Sequence, residues 1–484
     1  MFRSLPALFA LLLIAVAPTV NLLTRQSWHD QQRLLQIIII VLAICSLVAT
    51  SWHRIAPNKH SLATTPQVLL VGILILGIAS SLMSHQPLWA FTELSLFIGC
   101  FSLTIACRDL REHFGPRFDS CLLFTLTFVV AAITVKFLAS YAAALVFHQR
   151  LEPDAMLGGF ANLRHLGQFQ TLSMPLLALP LLLPNNSKRL KFGAMLMLSL
   201  WWLTIITGGT RACLLAVGCI ILIMIPLGAV AKRWITLQAI AIAIAALAFW
   251  IFMRSLPAFL KILPSLAETG LFRTSLSGRE ALWSYCLQLI HEYPWIGAGP
   301  MHFADQTRFS YAHPHQSILQ WASEWGLPSL CLVVALLVIS GLAVLRTVYS
   351  ARSKTDAESI LRLCLLGSLT GLAAQSMVDG VTVMPYTQIW LAIIAGWLWG
   401  LQPASIAASS PTKHSRILAL LILLPALLAA GCLSHVALRD YKMLETMNLP
   451  DTPARPGKGA DPPRFWLWGS IANPESKASA DSQR

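Results

Sequence analysis

Two histidines stand one residue apart in His313-Pro314-His315-Gln316, just ahead of the run Ile318-Leu319-Gln320-Trp321. An imidazole titrates near pH 6.5, so at neutral pH it can accept a proton from a hydroxyl. The plainer alternative is an interfacial histidine with a structural hydrogen bond. A metal would need more ligands, and no nearby Asp, Glu or His completes a set. Arginines recur in comparable places. Ser277-Gly278-Arg279-Glu280 has the capping-box pattern, Ser at the cap and Glu three residues on, so a helix should start there. Backbone N–H groups and the Arg279 guanidinium in that first turn favour a phosphate, although a solvated charge is the alternative. Trp283, Leu287 and Ile290 then recur at i, i+4, i+7, which predicts a face laid on the membrane or on other helices.

Thr207-Gly208-Gly209-Thr210-Arg211 is a very short turn between apolar runs. Arg211 there either points inward or snorkels to headgroups. Asn162, Arg164, His165 and Gln168 crowd a helix mouth. They could hold sugar hydroxyls or a diphosphate, or merely cap the helix. Glu93 and Lys136 fall within apolar runs, where ionisable residues are binding candidates or a structural pair. Arg164, Arg211 and Arg279 with His315 suit an anionic substrate: guanidiniums for a diphosphate, an imidazole for an acceptor.

The elements that must position these residues are membrane helices. Of 484 residues, 56% are hydrophobic and 12% charged, and mean hydropathy is +0.66. A soluble domain carries about twice that charge. The expected fold is all-α, a polytopic bundle of about thirteen transmembrane helices with one long, partly helical outer loop. The spans are predicted at 5–24, 34–52, 65–84, 88–107, 119–147, 169–185, 192–207, 212–230, 234–253, 318–345, 361–378, 386–402 and 417–436. Leu5 to Leu23 reads as a retained helix, having no clear cleavage site. Alternate loops carry Arg54 and Lys59; Arg108, Arg111 and Arg117; Lys188, Arg189 and Lys191; Lys232 and Arg233; Arg346, Arg352 and Lys354; Lys413 and Arg416. The positive-inside rule makes that side cytoplasmic. The net charge of +14 is thereby explained without nucleic acid. Residues 1–436 are the transmembrane domain, with the 254–317 loop periplasmic. Residues 437–484 form a periplasmic tail, expected to be disordered from about Asn473. The ten cysteines lack paired spacing, which argues against disulfides or zinc.

With these residues in order, the sequence resembles the O-antigen ligase and O-oligosaccharyltransferase superfamily of bacterial inner-membrane glycosyltransferases. The resemblance runs through Gly159-Phe160-Ala161-Asn162 to Gln170, Thr210-Arg211, Gly278-Arg279 with Trp283, and Pro294 to Pro300. Its strongest piece is His315-Gln316, Leu319-Gln320 and Glu324-Trp325-Gly326-Leu327-Pro328, with Gln316 standing where the family typically has Asn. The resemblance implies glycan transfer from undecaprenyl diphosphate to a periplasmic acceptor, inverting and without metal or other cofactor. It assigns the essential histidine to His315, with His313 as a near neighbour, and the diphosphate arginines to Arg211 and Arg279. Arg164, Asn162, Gln168, His313, Lys136 and Glu93 are the expected substrate-binding set. Three acceptors share such a site: Ser or Thr of a protein such as pilin, lipid A-core, or another lipid-linked glycan. Gly299 to Phe303, His313 to Gln316, Leu438 to Tyr441 and Pro463 to Trp466 look more like pilin-type enzymes, which favours a protein. A lipid-linked sugar transporter is the reading from another class, but no paired halves are seen.

Overall fold

The computed structural model describes residues 4–53, 64–263, 278–306, 311–402, 414–447, 464–469 and 471. Arg54, Lys59, Lys413, Ser277 and the stretch from Asn473 lie outside them. The described residues are helical, with no strand. In chain order the helices are α1 (Ser4–Val16), α2 (Trp28–His53), α3 (Thr64–Met83), α4 (Pro87–Phe114), α5 (Pro116–Val146) and α6 (Pro153–Met156). Then come α7 (Leu163–Leu177), α8 (Leu179–Leu182), α9 (Lys188–Gly208), α10 (Arg211–Met224), α11 (Gly228–Ala248) and α12 (Leu256–Phe259). The last six are α13 (Arg279–Glu292), α14 (Ser317–Trp325), α15 (Leu327–Ser350), α16 (Ala357–Gln375), α17 (Pro385–Gly400) and α18 (His414–Met447). Among the described residues, nine helical segments are long and apolar enough to cross a membrane. Each of the thirteen predicted spans overlaps a helix.

Prolines and one glycine account for the departures. The first helix stops at Val16, just before Pro18, which has no N–H to continue the ladder. The 169–185 span is two short pieces, α7 and α8, in a stretch that holds Pro175, Pro180 and Pro184. The 318–345 span is also broken: α14 ends and α15 begins at Gly326, whose φ is +81° and ψ 161°. A Cβ there would stand 2.4 Å from the Trp295 carbonyl oxygen, so only glycine fits. The break lets α14, only nine residues long, take its own direction from the span that follows.

Helix α4 is central, packing on α2, α3, α5, α17 and α18. Its closest partner is α17, where a Cβ on Gly396 would meet the Thr104 carbonyl at 2.2 Å. Small residues permit such close approach between membrane helices. One end of α4 carries Arg111, paired with Asp119 at 2.7 Å, and Arg108, paired with Glu112 at 2.6 Å. Near the other end is Glu93, 3.4 Å from Arg464. The basic pair Arg108 and Arg111 and the candidate residue Glu93 therefore lie towards opposite ends of a 28-residue helix.

Helix α13 starts at Arg279 with Gly278 at its cap position. The face it buries within the protein is Leu282, Cys286 and Leu289, packed with Phe303, and Trp283 lies against this cluster; of the predicted face, Leu287 points outward. Leu287 is 58% exposed. Both sets have the same spacing, so periodicity alone did not separate them. All ten cysteines are free.

Candidate functional site

The site is built where α14 meets the connection between α16 and α17. Gln316 caps α14 by accepting from the Leu319 N–H. The residue just before it, His315, is held at φ +56°, a left-handed conformation uncommon outside glycine and typical of strain kept at functional sites. Its neighbours hold it there. Trp283 Nε1 donates to the Pro314 carbonyl at 3.1 Å. Ser317 N donates to the Ser376 carbonyl at 2.9 Å, and the Ser317 and Thr382 hydroxyls meet at 3.1 Å. These contacts bring the 376–384 connection alongside, and with it Asp379.

His315 is 6% exposed. Its Nδ1 lies 3.9 Å from Oδ1 of Asp379, and neither ring nitrogen completes a hydrogen bond. Catalytic hydrogen bonds are often long before substrate arrives. Burial alone would raise the Asp379 carboxyl, but His315, Gln168 and His165 outweigh it and hold it below its ordinary value. The carboxylate is therefore ionised at neutral pH. Hydrogen-bonded to Nδ1–H, it would leave Nε2 to receive a proton. His313 is packed differently. Its ring lies 4.2 Å from that of His315 and against Gly380, where a Cβ would come within 2.5 Å of it. Burial, then His315 and Arg464, push His313 well below 6.5. It is a buried ring packed on its neighbours, which separates the two histidines that the sequence left adjacent.

The three arginines singled out in the sequence all stand at helix starts. Arg164, Arg211 and Arg279 each sit at the first or second position of α7, α10 and α13. Burial lowers the Arg279 guanidinium, Arg164 and Arg211 lower it further, and Asp379 and Tyr311 oppose them. Arg279 is thus within electrostatic reach of both other arginines and of Asp379. Helix N-termini and guanidinium groups both favour anions. His165 adds an imidazole. Burial pushes it down to about 4, against the pull of Asp379.

The remaining expected residues divide. Gln168 is buried beside Asp379 and accepts from Thr387 Oγ1 at 2.7 Å. Asn162 caps α7, accepting from Arg164 N at 2.8 Å, so ordinary capping accounts for it. Lys136 lies over Trp28, 5.2 Å from the ring centroid, while Glu93 joins Arg464. The two are not paired with each other. Asp379 was missed in the sequence. An acidic residue in the short 379–385 connection was its signal, and a search for cations passed over it.

Taken together, fold and site define a polytopic helical membrane protein with an imidazole–carboxylate pair set among clustered guanidiniums. Residues 194–334 match the family model described as O-antigen ligase. The match supports the O-antigen ligase and O-oligosaccharyltransferase superfamily for this chain, and with it a glycosyltransferase-type enzyme. It spans Arg211, Arg279 and His315, and leaves Arg164 and Asp379 outside. No curated protein matches the chain.

Proposed function

We propose that this protein transfers a glycan from undecaprenyl diphosphate to an acceptor hydroxyl at the periplasmic face of the bacterial inner membrane. The observation that supports the reading is the His315–Asp379 pair, 3.9 Å apart, with Arg279 within electrostatic reach of Asp379, Arg164 and Arg211. His315 takes the acceptor hydroxyl's proton as its oxygen attacks the anomeric carbon. The bond from that carbon to the phosphate oxygen breaks, and the diphosphate leaves with the electron pair. Arg211 and Arg279 receive the growing negative charge, which they bind more tightly as it develops. A single displacement inverts the anomeric centre and uses no metal.

The favoured acceptor is Ser or Thr of a protein such as pilin. Support for it now rests on Gly299 to Phe303 and His313 to Gln316. The tail residues that pointed the same way, Arg439, Asp440, Arg464 and Trp466, are consumed by contacts within the protein. A second reading, transfer to lipid A-core, is favoured by the O-antigen ligase description of the matching family. Deleting the gene and measuring both the intact mass of pilin and the lipopolysaccharide ladder decides between them. Loss of sugar from pilin alone supports the protein acceptor, and loss of the long ladder supports lipid A-core. In vesicles, lipid-linked sugar that crosses without forming any new glycoconjugate would instead favour a transporter.

A further inference from the structure

The C-terminal segment at 464–469 and 471 enters none of the steps above, yet it is buried at the same end of the molecule. Arg464 is 1% exposed, Phe465 2% and Trp466 1%. Arg464 Nη2 donates to Glu324 Oε2 at 2.6 Å and lies 3.4 Å from Glu93 Oε1. With its amide oxygen turned inward, Gln320 accepts from both Arg464 terminal nitrogens at 2.7 and 3.0 Å. Gln320 and Glu324 are one turn apart on α14, so one guanidinium grips that helix at two points and ties it to α4. Glu324 Oε1 in turn accepts from Phe303 N at 3.0 Å.

The segment's backbone is gripped from the other side. Arg33 Nε donates to the Phe465 carbonyl at 3.0 Å, and its Nη2 donates to the Arg464 carbonyl at 3.1 Å. The same Nη2 donates to the Val383 carbonyl at 2.7 Å, in the connection that carries Asp379. Leu467 N is held by Asp30 at 2.7 Å and Trp466 Nε1 by Asp440 at 2.8 Å. The segment therefore touches both halves of the site. Through Glu324 and Gln320 it holds the helix that His315 precedes, and through Arg33 it shares a clamp with the Asp379 connection.

We infer that Arg464 is a positioning residue: its grip on Glu324 and Gln320 fixes α14, and so sets where His315 stands relative to Asp379 and the arginines. Other contacts also hold α14, among them Ser317 N to the Ser376 carbonyl at 2.9 Å and Ala298 N to the Ser323 carbonyl at 2.9 Å, but Arg464 is the charged group that joins two of its side chains to α4. A buried guanidinium facing two carboxylates is not replaceable by a neutral side chain. Lysine keeps the charge but lacks the fork that reaches three acceptors. The inference rests on the transferase reading, because positioning matters only if His315 acts on substrate.

The test uses the full-length protein in lipid nanodiscs, with a polyprenyl-diphosphate-linked glycan as donor. Wild type, Arg464→Met and Arg464→Lys are compared in turnover, donor binding and hydrogen–deuterium exchange. Arg464→Met is expected to lower kcat by about 10²-fold, while donor affinity and stoichiometry stay near wild type. Exchange in 311–326 should rise while that in 357–375 stays protected. Arg464→Lys should recover part of both effects. Unchanged exchange in 311–326 overturns the inference, whatever happens to transfer. So does wild-type turnover in Arg464→Met. A fall in donor binding matching the fall in turnover, with exchange rising across the whole bundle, also overturns it by making Arg464 a general fold residue. If wild type itself moves no glycan, the transferase reading fails, and exchange alone still decides whether Arg464 fixes α14.

Discussion

At the scale of single residues, the strained backbone at His315 offers a test that separates chemistry from structure. A left-handed φ of +56° costs a non-glycine residue about 1–3 kcal/mol. In the proposed reaction, the imidazole is what that cost keeps in place. His315→Ala keeps the strain and loses the base, so transfer should fall by on the order of 10²–10⁴. His315→Gly should be equally inactive, yet melt at a temperature no lower than His315→Ala. An active His315→Gly enzyme would remove the histidine's role. Asp379→Asn keeps the size and loses the charge, so it should lower kcat in the same assay. The buried neutral imidazoles give a second expectation. An unfolded histidine protonates near pH 6.5, whereas His165 folded does so only at about 4 and His313 well below 6.5. Between those values the unfolded chain binds more protons than the folded one. Their stabilising contribution is complete above about pH 6.5 and is lost as pH falls towards 4. Melting in detergent should therefore drop from pH 7 to pH 5, and a His165→Gln/His313→Gln double variant should show a shallower drop. An identical slope in that variant would exclude these two groups as the source.

At the scale of elements, the site depends on a helix that is deliberately short. Helix α14 starts at a side-chain cap, Gln316, and ends at Gly326. The break is fixed from outside: Leu327 N donates to the Pro294 carbonyl at 2.9 Å, and Gly299 N to the Glu324 carbonyl at 3.0 Å. Gly326→Ala must push a Cβ into the Trp295 carbonyl in a backbone conformation nearly exclusive to glycine. It should destabilise by about 1–3 kcal/mol and cost activity, because α14 would shift as the clash is relieved. Thermal melting and transfer measured on the same preparation check this, and a fully active, equally stable Gly326→Ala would show that the break is incidental. The same element shows where sequence reading succeeds. The run from His315 to Pro328 is recognisable by its order and spacing, but the break inside it is not, because an apolar span predicted over 318–345 runs straight through Gly326. The face α13 buries within the protein was not legible, because it depends on Phe303, which a periodicity cannot contain.

At the scale of the molecule, hydropathy made the helices and their alternation legible, since each apolar run reports its own environment. The joining of the site was not legible. Asp379 meets His315 across 64 residues, and Arg464 meets Glu93 across 371. No local spacing encodes such contacts, and they appear only once α4, α14 and the tail are packed. The topology carries the last expectation. Candidate residues cluster at one end and the Arg108–Arg111 pairs at the other, so the two ends must face different compartments if the bundle spans a membrane. The excess of Lys and Arg in the second set predicts that it faces the cytoplasm. Glu280 and Arg189 are both exposed, and the expected topology puts them on opposite sides of the membrane. The natural cysteines with most exposure, Cys45, Cys121 and Cys331, lie within apolar spans and should react little with a charged reagent. A membrane-impermeant maleimide on spheroplasts should therefore label Glu280→Cys at once, and Arg189→Cys only after the membrane is opened. The reverse order would turn the arginine cluster towards the cytoplasm, away from a donor presented in the outer leaflet, and the proposed reaction would lose its substrate.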